Sequence, residues 1–324
     1  MSIPHFLGID GGGTRTRAFV TDAAGQMGAW GEAGLSNPNH ASPEELRANL
    51  RQVIQAAFAQ SGLDPSACRS AFVGMAGVTT AAGRTRLQKT VTECGLAQST
   101  VGVDHDIRIA WAGGLALRPG IALIVGTGSS CYGRTANGRT WQTGGWEALI
   151  SDEGSAYFIA REAIAAAARM ADGRTLETPL RQAVFQWLGI REIADVLPRI
   201  HDQGLSRSEL AGFAPQVVGL AEQGDTAALE ILDRGALLLA EMVSANHHML
   251  PTGPGPDVVI TGGLGTADTI YRGKIATAIR DRLPSVTVHA PVLAPAIGAA
   301  LLAMEQVSLT LTLELIERMK RFNV

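Results

Sequence analysis

The sequence DGGGTRT, at Asp10–Thr16, follows a short apolar run at His5–Asp10. A second small-residue segment, GTGSS at Gly126–Ser130, follows another apolar run at Ile121–Val125. Short apolar runs bounded by glycine-rich turns are typical of buried strands. In both places an alternating segment, a turn and a further strand-like segment come next. The order of buried strand, small-residue loop, strand, turn and strand therefore occurs twice, and it predicts two related units built on β-sheets.

The first repeat continues through predicted strands at Thr16–Thr21 and Met27–Glu32, and the second through Ser130–Arg134 and Arg139–Thr143. The dipeptide Asn137-Gly138 between the last two segments is a strong signal for a β-hairpin turn. We therefore expect antiparallel strands at the head of each sheet.

Helical periodicity separates and follows these strands. The spacing of apolar residues predicts a helix over Pro43–Gln60, with Ser42 as its N-cap. Further helices are predicted at Ser155–Met170, Leu205–Glu222, Thr226–Met249, Ala296–Gln306 and Leu313–Arg321, and further strands at Val258–Thr261 and Val286–His289. Strands that alternate with helices predict an α/β fold.

The chain has 324 residues, enough for two domains, because a single core rarely grows beyond about 250–300 residues. The turn at Pro119-Gly120 is the favoured boundary. It gives an N-terminal lobe of residues 1–119 and a C-terminal lobe of residues 120–324, with a cleft expected between them. The last helix is expected in the second lobe or packed back on the first.

Composition excludes several classes of protein. Apolar residues make up 46% and charged residues 18%, which argues against intrinsic disorder. The net charge is −3 without a basic cluster, which argues against nucleic-acid binding. No apolar run approaches the roughly 20 residues of a membrane helix, and the N-terminus lacks a signal-peptide pattern. The cysteines Cys68, Cys94 and Cys131 have no metal-ligand spacing, so we expect reduced thiols in a cytoplasmic protein with no membrane partner.

Glycine-rich loops point to a phosphate ligand. Backbone N–H groups can surround a polyphosphate only where side chains do not intervene, and glycine permits this approach. Asp10–Thr16 and Gly126–Ser130 fit this need, and Gly262–Gly265 after a predicted strand would let a base or ribose lie against the backbone. Three such loops predict nucleotide binding. The sequence lacks GxxxxGK[ST], which excludes the P-loop class. No GxGxxG follows a strand, which argues against a dinucleotide-binding fold.

In their order along the chain, these loops resemble the superfamily of sugar kinases, heat-shock ATPases and actin. Within it the chain is similar to the N-acetylglucosamine kinases of the BadF/BadG-type ATPase family. The resemblance rests on DGGGTRT (Asp10–Thr16), GLSNPN (Gly34–Asn39), VDHDIRIAWAGG (Val103–Gly114), VGTGSSC (Val125–Cys131), GGW (Gly144–Trp146), SDEGSAY (Ser151–Tyr157), QGD (Gln223–Asp225), ITGGLG (Ile260–Gly265) and PAIGAALLA (Pro295–Ala303). The pairing of GGW with SDEGSAY is the most diagnostic of hexosamine kinases.

The resemblance implies two actin-like (ribonuclease H-like) lobes and an ATP-dependent kinase that phosphorylates the 6-hydroxyl of an amino sugar. N-acetylglucosamine is the first candidate substrate and glucosamine the second. Mg2+ is the implied metal, and a homodimer is the implied assembly. The implied ATP-binding positions are Gly12, Gly13, Thr14, Thr16, Gly128, Ser129, Gly262, Gly263 and Leu264.

The resemblance also places the catalytic base at Asp106, where a carboxylate accepts the proton of the sugar hydroxyl. Asp104 is the main competitor, because side chains at i and i+2 share one face of a strand. Either aspartate would otherwise cap the helix that starts near Ile107. Asp10 is expected to hold Mg2+ through water, and the alternative is an aspartate that stabilises the turn.

Sugar contacts are implied at several positions. The matching residues are Asn37, Thr127, Gly145, Trp146 and Asp152. Asn39 could replace Asn37, and a structural role stays open for this turn. Gly145 and Trp146 would lie beside the 2-acetamido group, although Trp146 could instead be a core aromatic residue. Thr127 would lie near the transferring phosphate, where its hydroxyl can stabilise charge. Glu153 is expected to point away from Asp152.

Two other functions fit the same family. It contains ATP-driven activators of dehydratases, whose iron–sulfur cluster is bound by cysteine thiolates. The three cysteines of this chain are scattered and lack the paired flanks that such a cluster needs. The other possibility is a regulatory protein without catalysis, against which the intact loops and the aspartates Asp106 and Asp152 argue. We therefore expect a kinase.

Overall fold

A computed structural model describes residues 3–202, 204–251 and 255–323. The strands are β1 His5–Gly11, β2 Thr16–Asp22, β3 Gly28–Ala33, β4 Cys68–Met75, β5 Thr100–Asp104, β6 Gly120–Val125, β7 Ser129–Arg134, β8 Thr140–Gly144, β9 Asp257–Thr261 and β10 Thr287–His289. The helices are α1 Pro43–Ser61, α2 Ala81–Glu93, α3 Asp106–Gly114, α4 Ala156–Ala171, α5 Pro179–Leu188, α6 Arg207–Ala211, α7 Ala214–Glu222, α8 Thr226–Met249, α9 Gly263–Thr266, α10 Ile270–Arg282, α11 Pro295–Glu305 and α12 Leu313–Lys320. Among the described residues, no helix combines the length and the apolar character needed to cross a membrane.

The chain divides into two compact units. The first contains Met1–Arg118 together with Pro291–Val324, and the second contains Pro119–Ala290. The first boundary between the two units lies beside the predicted turn at Pro119-Gly120. The C-terminal segment from Pro291, which the sequence-based division assigns to the second lobe, makes its contacts in the first unit.

The sheet of the first unit has the strand order β3-β2-β1-β4-β5. Strands β1, β2 and β3 pair antiparallel, and β4 and β5 extend the sheet in parallel. Helix α1 covers one face and begins at the predicted N-cap, because the Ser42 hydroxyl accepts from the Glu45 N–H in a capping box. Helix α11 packs closely on α3. A Cβ on Gly298 would lie 2.2 Å from the backbone nitrogen of Gly113, so only glycine permits this approach.

The sheet of the second unit has the order β10-β9-β6-β7-β8. Strands β6, β7 and β8 pair antiparallel, and β9 and β10 are parallel additions. This arrangement is the same as in the first unit, with β6 in the place of β1. The α/β class and the duplicated strand pattern predicted from the sequence are therefore confirmed.

One predicted helix is wrong. The segment Leu205–Glu222 forms two helices, α6 and α7, with Gly212 and Phe213 between them. The cause is Pro215 in the first turn of α7, which has no N–H to donate to the carbonyl four residues earlier. As a result, α6 is a separate short helix that ends before α7 begins.

Candidate functional site

The loop after β1 is fastened to the segment that follows β3. The carbonyl of Gly12 accepts hydrogen bonds from the backbone N–H groups of Ser36 (3.1 Å) and Asn37 (3.2 Å). The hydroxyl of Thr16 donates to the Gly34 carbonyl over 2.7 Å and also contacts the Ser36 hydroxyl. Thr16 is fully buried, so its side chain stabilises the neighbouring segment. Gly12 and Gly13 are partly exposed and Thr14 is exposed, which leaves their backbone near the surface.

The two candidate asparagines play different parts in this segment. Asn37 is buried, and its Oδ1 accepts a hydrogen bond of 2.9 Å from the backbone N–H of Asn39. This contact closes an Asx turn around Pro38. Asn39 itself is exposed. The structural role that the sequence left open is therefore present at Asn37, and a sugar contact stays a prediction for either residue.

Asp10 lies near the end of β1. Burial, and next the negative charge of Asp106, raise the pKa of Asp10 from 3.8 to about 7, against the opposing effect of Arg17 and Arg15. A carboxylate whose ionised form is disfavoured by burial and by a neighbouring like charge fits a divalent cation, which would favour the ionised form of Asp10. Mg2+ suits such a site because it prefers oxygen ligands and keeps several waters. Within the described residues, no cluster of three or more His, Cys, Asp or Glu side chains provides a full protein ligand set.

The two aspartates proposed as base differ in their partners. Asp104 pairs with Arg108 over 2.8 Å and with Arg84 over 3.8 Å, so two guanidinium groups compensate its charge. The N-cap of α3 is His105, and Asp106 is the first helical residue. The Oδ1 atom of Asp106 lies 2.5 Å from Nδ1 of His105. Asp106 therefore has no guanidinium partner among the ion pairs of the described residues, and this geometry favours it over Asp104 as a proton acceptor.

In the second unit, the loop after β6 is fastened to the start of α4. The carbonyl of Gly126 accepts from the Ala156 N–H over 2.9 Å, and the carbonyl of Thr127 accepts from the Tyr157 N–H over 3.2 Å. These N–H groups belong to the first turn of α4, which has no partners for them within the helix. The loop carbonyls therefore face the helix, and the Thr127 side chain is exposed.

Asp152 is held against this loop. It is 3% exposed, and its Oδ1 accepts a hydrogen bond of 3.0 Å from the Ser129 N–H. Its Oδ2 pairs with the guanidinium of Arg207. Burial raises the pKa of Asp152, an effect that the Ser129 N–H and Arg207 oppose. A Cβ on Gly128 would lie 2.5 Å from Nη2 of Arg207, so a side chain at this position would displace the pair.

Arg207 is a site residue that sequence analysis did not identify. Its guanidinium also pairs with Glu147 over 3.2 Å and lies over the ring of Tyr157, with 5.9 Å from Cζ to the ring centroid. Arg207 is the first residue of α6, which starts with a capping box formed by Ser206 and Glu209. This S-x-x-E pattern is visible in the sequence and would have placed a helix start at Arg207.

Trp146 is not a core aromatic residue, because 58% of it is exposed. It lines a pocket of about 230 Å³ with residues of β8 and α8, and the side chain of Glu153 lies in the same pocket. The Ser151 hydroxyl donates to Oε2 of Glu153 over 2.9 Å. Glu153 and Asp152 therefore point apart, as expected. Gly145, at φ +77°, adopts the left-handed conformation that this turn needs. The structure does not place Asp152 among the residues around Trp146.

A larger, mainly apolar pocket of about 570 Å³ lies in the second unit. It is lined by Gly126, Thr127, Ala156, Ser208, Ala211, Gly212, Pro215, Val218, Gly219, Glu222, Gly263, Leu264, Ala267 and Thr269. The pocket thus brings together Thr127, Gly263 and Leu264 from two of the predicted loops. Gly262, at φ +87°, is the N-cap of α9 beside it. Its size and apolar walls suit a flat heterocyclic base. The wall formed by α6 and α7 was not identified from the sequence.

Known proteins match this chain along most of its length. A sequence profile of the BadF/BadG/BcrA/BcrD ATPase family matches residues 7–303. An N-acetylmuramic acid/N-acetylglucosamine kinase of Clostridium acetobutylicum is 30% identical over 259 residues, which are 80% of this chain and 84% of that protein. An N-acetyl-D-glucosamine kinase of Dictyostelium discoideum is 25% identical over 315 residues, which are 94% of this chain and 99% of that protein.

A solved structure shows the same fold. It belongs to a Chromobacterium violaceum protein provisionally named an N-acetylglucosamine kinase. The two structures superpose with a TM-score of 0.74 at 26% sequence identity, and the match covers 94% of this chain and 100% of that one. This likeness supports the actin-like class expected for each unit.

Proposed function

We propose, because this chain belongs to the BadF/BadG/BcrA/BcrD ATPase family, that it is an ATP-dependent kinase acting on the 6-hydroxyl of an amino sugar. N-acetylglucosamine is the first candidate substrate, since the two relatives described above carry that sugar in their names. Glucosamine is the second. The observation that carries the proposal is the carboxylate of Asp106. It starts α3, no guanidinium of the described residues forms an ion pair with it, and it lies near the like charge of Asp10.

The residues have the following roles in this proposal. Asp106 accepts the hydroxyl proton as the sugar oxygen bonds to the γ-phosphorus and the bond to the bridging oxygen of ADP breaks. Backbone amides of the loops after β1 and β6 bind the phosphates, and the Thr127 hydroxyl stabilises charge on the transferring group. The 570 Å³ pocket binds the adenine. Asp10 would hold Mg2+, which would neutralise phosphate charge there.

Asp152, with Asn37, binds hydroxyl groups of the sugar in this proposal, because a carboxylate and an amide supply directional hydrogen bonds. Gly145 and Trp146 form the wall near the 2-acetamido group. Support for these roles comes from the motifs and from the position of Asp152 against the Gly126–Ser129 loop. The homodimer that the resemblance implies and the cytoplasmic location expected from the sequence stay proposals as well, and light scattering and cell fractionation test them.

The alternative of a dehydratase activator has no support from the cysteines. Cys68, Cys94 and Cys131 are all buried, and Cys131 lies on a strand of the second unit. Burial raises the pKa of Cys68 to about 11 and raises that of Cys94, whereas an iron–sulfur cluster needs thiolates. Iron bound by anaerobically purified protein would nevertheless restore this alternative.

An assay of ADP release with a panel of hexoses and hexosamines tests the proposal. We expect turnover with N-acetylglucosamine or glucosamine and little with glucose. Asp106→Asn should lower kcat by at least about 10²-fold while ATP still binds, because it removes the proton acceptor. Asp104→Asn is the matched control, and its kcat should fall much less. Near-normal turnover by Asp106→Asn, or a larger loss in Asp104→Asn, would refute the assignment.

A further inference from the structure

The wall of the 570 Å³ pocket carries a carboxylate to which the proposed mechanism gives no role. Of the described residues that line this pocket, Glu222 alone is charged, and the walls are mainly apolar. The hydroxyls on the wall can donate or accept a hydrogen bond, whereas a carboxylate only accepts. Glu222 is therefore the lining side chain that requires an N–H or O–H donor from a ligand.

A contact between two helices orients this carboxylate. Glu222 is the last residue of α7, and its Oε1 accepts a hydrogen bond of 3.3 Å from the backbone N–H of Ile270. That N–H lies in the first turn of α10, which has no carbonyl of its own to offer it. The second oxygen, Oε2, makes no hydrogen bond or ion pair with any described residue. One oxygen is thus held in place, and the other is available to a ligand.

The charge of Glu222 contributes little to the stability of the fold. Its side chain is exposed, and a negative charge at the end of α7 is disfavoured by the partial negative charge of the last carbonyls. The hydrogen bond from Ile270 is the structural contribution that remains. Replacement of Glu222 should therefore change the stability only slightly, which makes it suitable for a test of binding.

Purine bases differ in the donors that they present to an acceptor. Adenine has a single exocyclic amine, at N6, whereas guanine presents its N1–H and its N2 amine side by side. A carboxylate binds two adjacent donors best with both of its oxygens. Because Ile270 already engages Oε1 of Glu222, the one remaining oxygen matches the single amine of adenine.

Resting on the function proposed above, we propose that Glu222 selects adenine by accepting a hydrogen bond from the N6 amine through Oε2. The apolar walls of the pocket contact the faces of a flat ring and do not distinguish one purine from another. The directional hydrogen bond supplies this distinction. Glu222 is in this way a specificity-determining residue for the nucleotide substrate.

A comparison of ATP with purine riboside 5′-triphosphate, which lacks the N6 amine, tests this role. Dissociation constants of both nucleotides with Mg2+ are measured by calorimetry, without sugar, for the wild type and for Glu222→Ala. The wild type should bind ATP about tenfold more tightly than the analogue, the effect expected of one hydrogen bond to a charged group. In Glu222→Ala the two nucleotides should bind about equally. A preference that the substitution leaves unchanged would overturn the proposal.

Glu230 provides the matched control. It is an exposed glutamate on α8 and does not line the pocket. Glu230→Ala should keep the preference of the wild type for ATP. Thermal unfolding without ligand should give nearly the same temperature for all three proteins, so that a lost preference reflects a lost contact with the base.

Two further nucleotides separate this role from other uses of the carboxylate. If the wild type binds 2′-deoxy-ATP more weakly than ATP and Glu222→Ala abolishes this difference, Glu222 binds the ribose and the proposal is wrong. It is equally wrong if the wild type binds GTP more tightly than ATP and the variant does not. If no amino sugar is phosphorylated, the proposed function fails, whereas the ratios of the dissociation constants still decide the role of Glu222.

Discussion

Among single side chains, ion pairs distinguish two aspartates that strand periodicity alone leaves equivalent. Asp104 and Asp106 are two positions apart, and strand periodicity gives no reason to choose between them. The structure distinguishes them because Arg84, from α2, and Arg108, one turn into α3, both pair with Asp104. Arg108 is a local i+4 partner that the sequence does contain. The ion pair of Arg84 with Asp104 depends on how α2 packs, and no local pattern in the sequence predicts it.

Asp10 gives a prediction about stability. Because its pKa is raised to about 7 in the folded chain, the folded state favours the protonated acid, and stability is lost as pH rises from about 4 through 7. Asp10→Asn removes this loss. Without Mg2+, the variant should exceed the wild type in free energy of unfolding by at least about 1 kcal/mol at pH 8, and by less as pH falls towards 4. Urea denaturation between pH 4.5 and 8.5 measures the difference.

Two additions make this test decisive. Mg2+ should reduce the difference in free energy of unfolding between the variant and the wild type at pH 8, because it stabilises only the protein with an ionised Asp10. Asp233→Asn, at an exposed surface pair with Lys274, is the control and should shift stability equally at each pH. A stability difference between Asp10→Asn and the wild type that does not vary with pH would contradict the raised pKa of Asp10.

Among helices and strands, the sequence predicts those that carry their own turn signals. The strands of each hairpin are followed by glycine or Asn-Gly turns, and α8 is found over the predicted residues Thr226–Met249. Sequence analysis did not identify β4, which pairs in parallel with β1 from far along the chain. Such a strand has no hairpin turn, and a buried apolar run shows no periodicity that distinguishes it from helix.

The short helix α6 explains why the candidate site was only partly predicted. Its first residue, Arg207, pairs with Asp152, and the residues Ser208 and Ala211 line the larger pocket. The single helix predicted over residues 205–222 did not indicate that any of these residues faces a site. The break caused by Pro215 allows α6 to contact the site, and the glycine motifs do not predict this contact.

Arg207→Gln tests the importance of this helix start. The change leaves the buried carboxylate of Asp152 without its cation, so the pKa of Asp152 should rise further and the protein should lose about 1–3 kcal/mol of stability. If Asp152 binds the sugar as a carboxylate, KM for the amino sugar should increase, most strongly at low pH. Thermal unfolding and sugar-dependent ADP release between pH 6 and 8 measure both effects.

Arg234→Gln is the matched control. Arg234 pairs with Glu162 over 3.0 Å and lies over the ring of Phe158 at 5.8 Å, so it makes the same two kinds of contact as Arg207 at a more exposed position, without a contact to Asp152. Its replacement should leave KM for the sugar unchanged. Equal changes of KM in the two variants would show that Arg207 does not act through Asp152.

For the molecule as a whole, the duplicated order of strands and loops predicted the α/β class with two related units, whereas the family came from the resemblance of motifs such as GGW and SDEGSAY. The return of α11 to the first unit was not predicted, because it depends on the close packing of Gly298 against Gly113. The pocket proposed for the nucleotide was likewise predicted only where glycine loops supply its wall. Its remaining wall consists of apolar residues, such as Val218, that any helix contains.

Gly219→Phe tests whether this pocket binds ATP. Gly219 lines the pocket on α7, and a Cβ there meets no atom within 4 Å, so the helix should accept the ring while the pocket is filled. Gly273, on α10, has the same open surroundings outside the pocket, which makes Gly273→Phe the control. Both variants should unfold at or above the wild-type temperature without ligand, because glycine is a poor helix former. Mg2+ and ATP should raise the unfolding temperature of the wild type and of Gly273→Phe only, since a ligand stabilises only the proteins that bind it. Equal stabilisation of Gly219→Phe by ATP would place the nucleotide elsewhere.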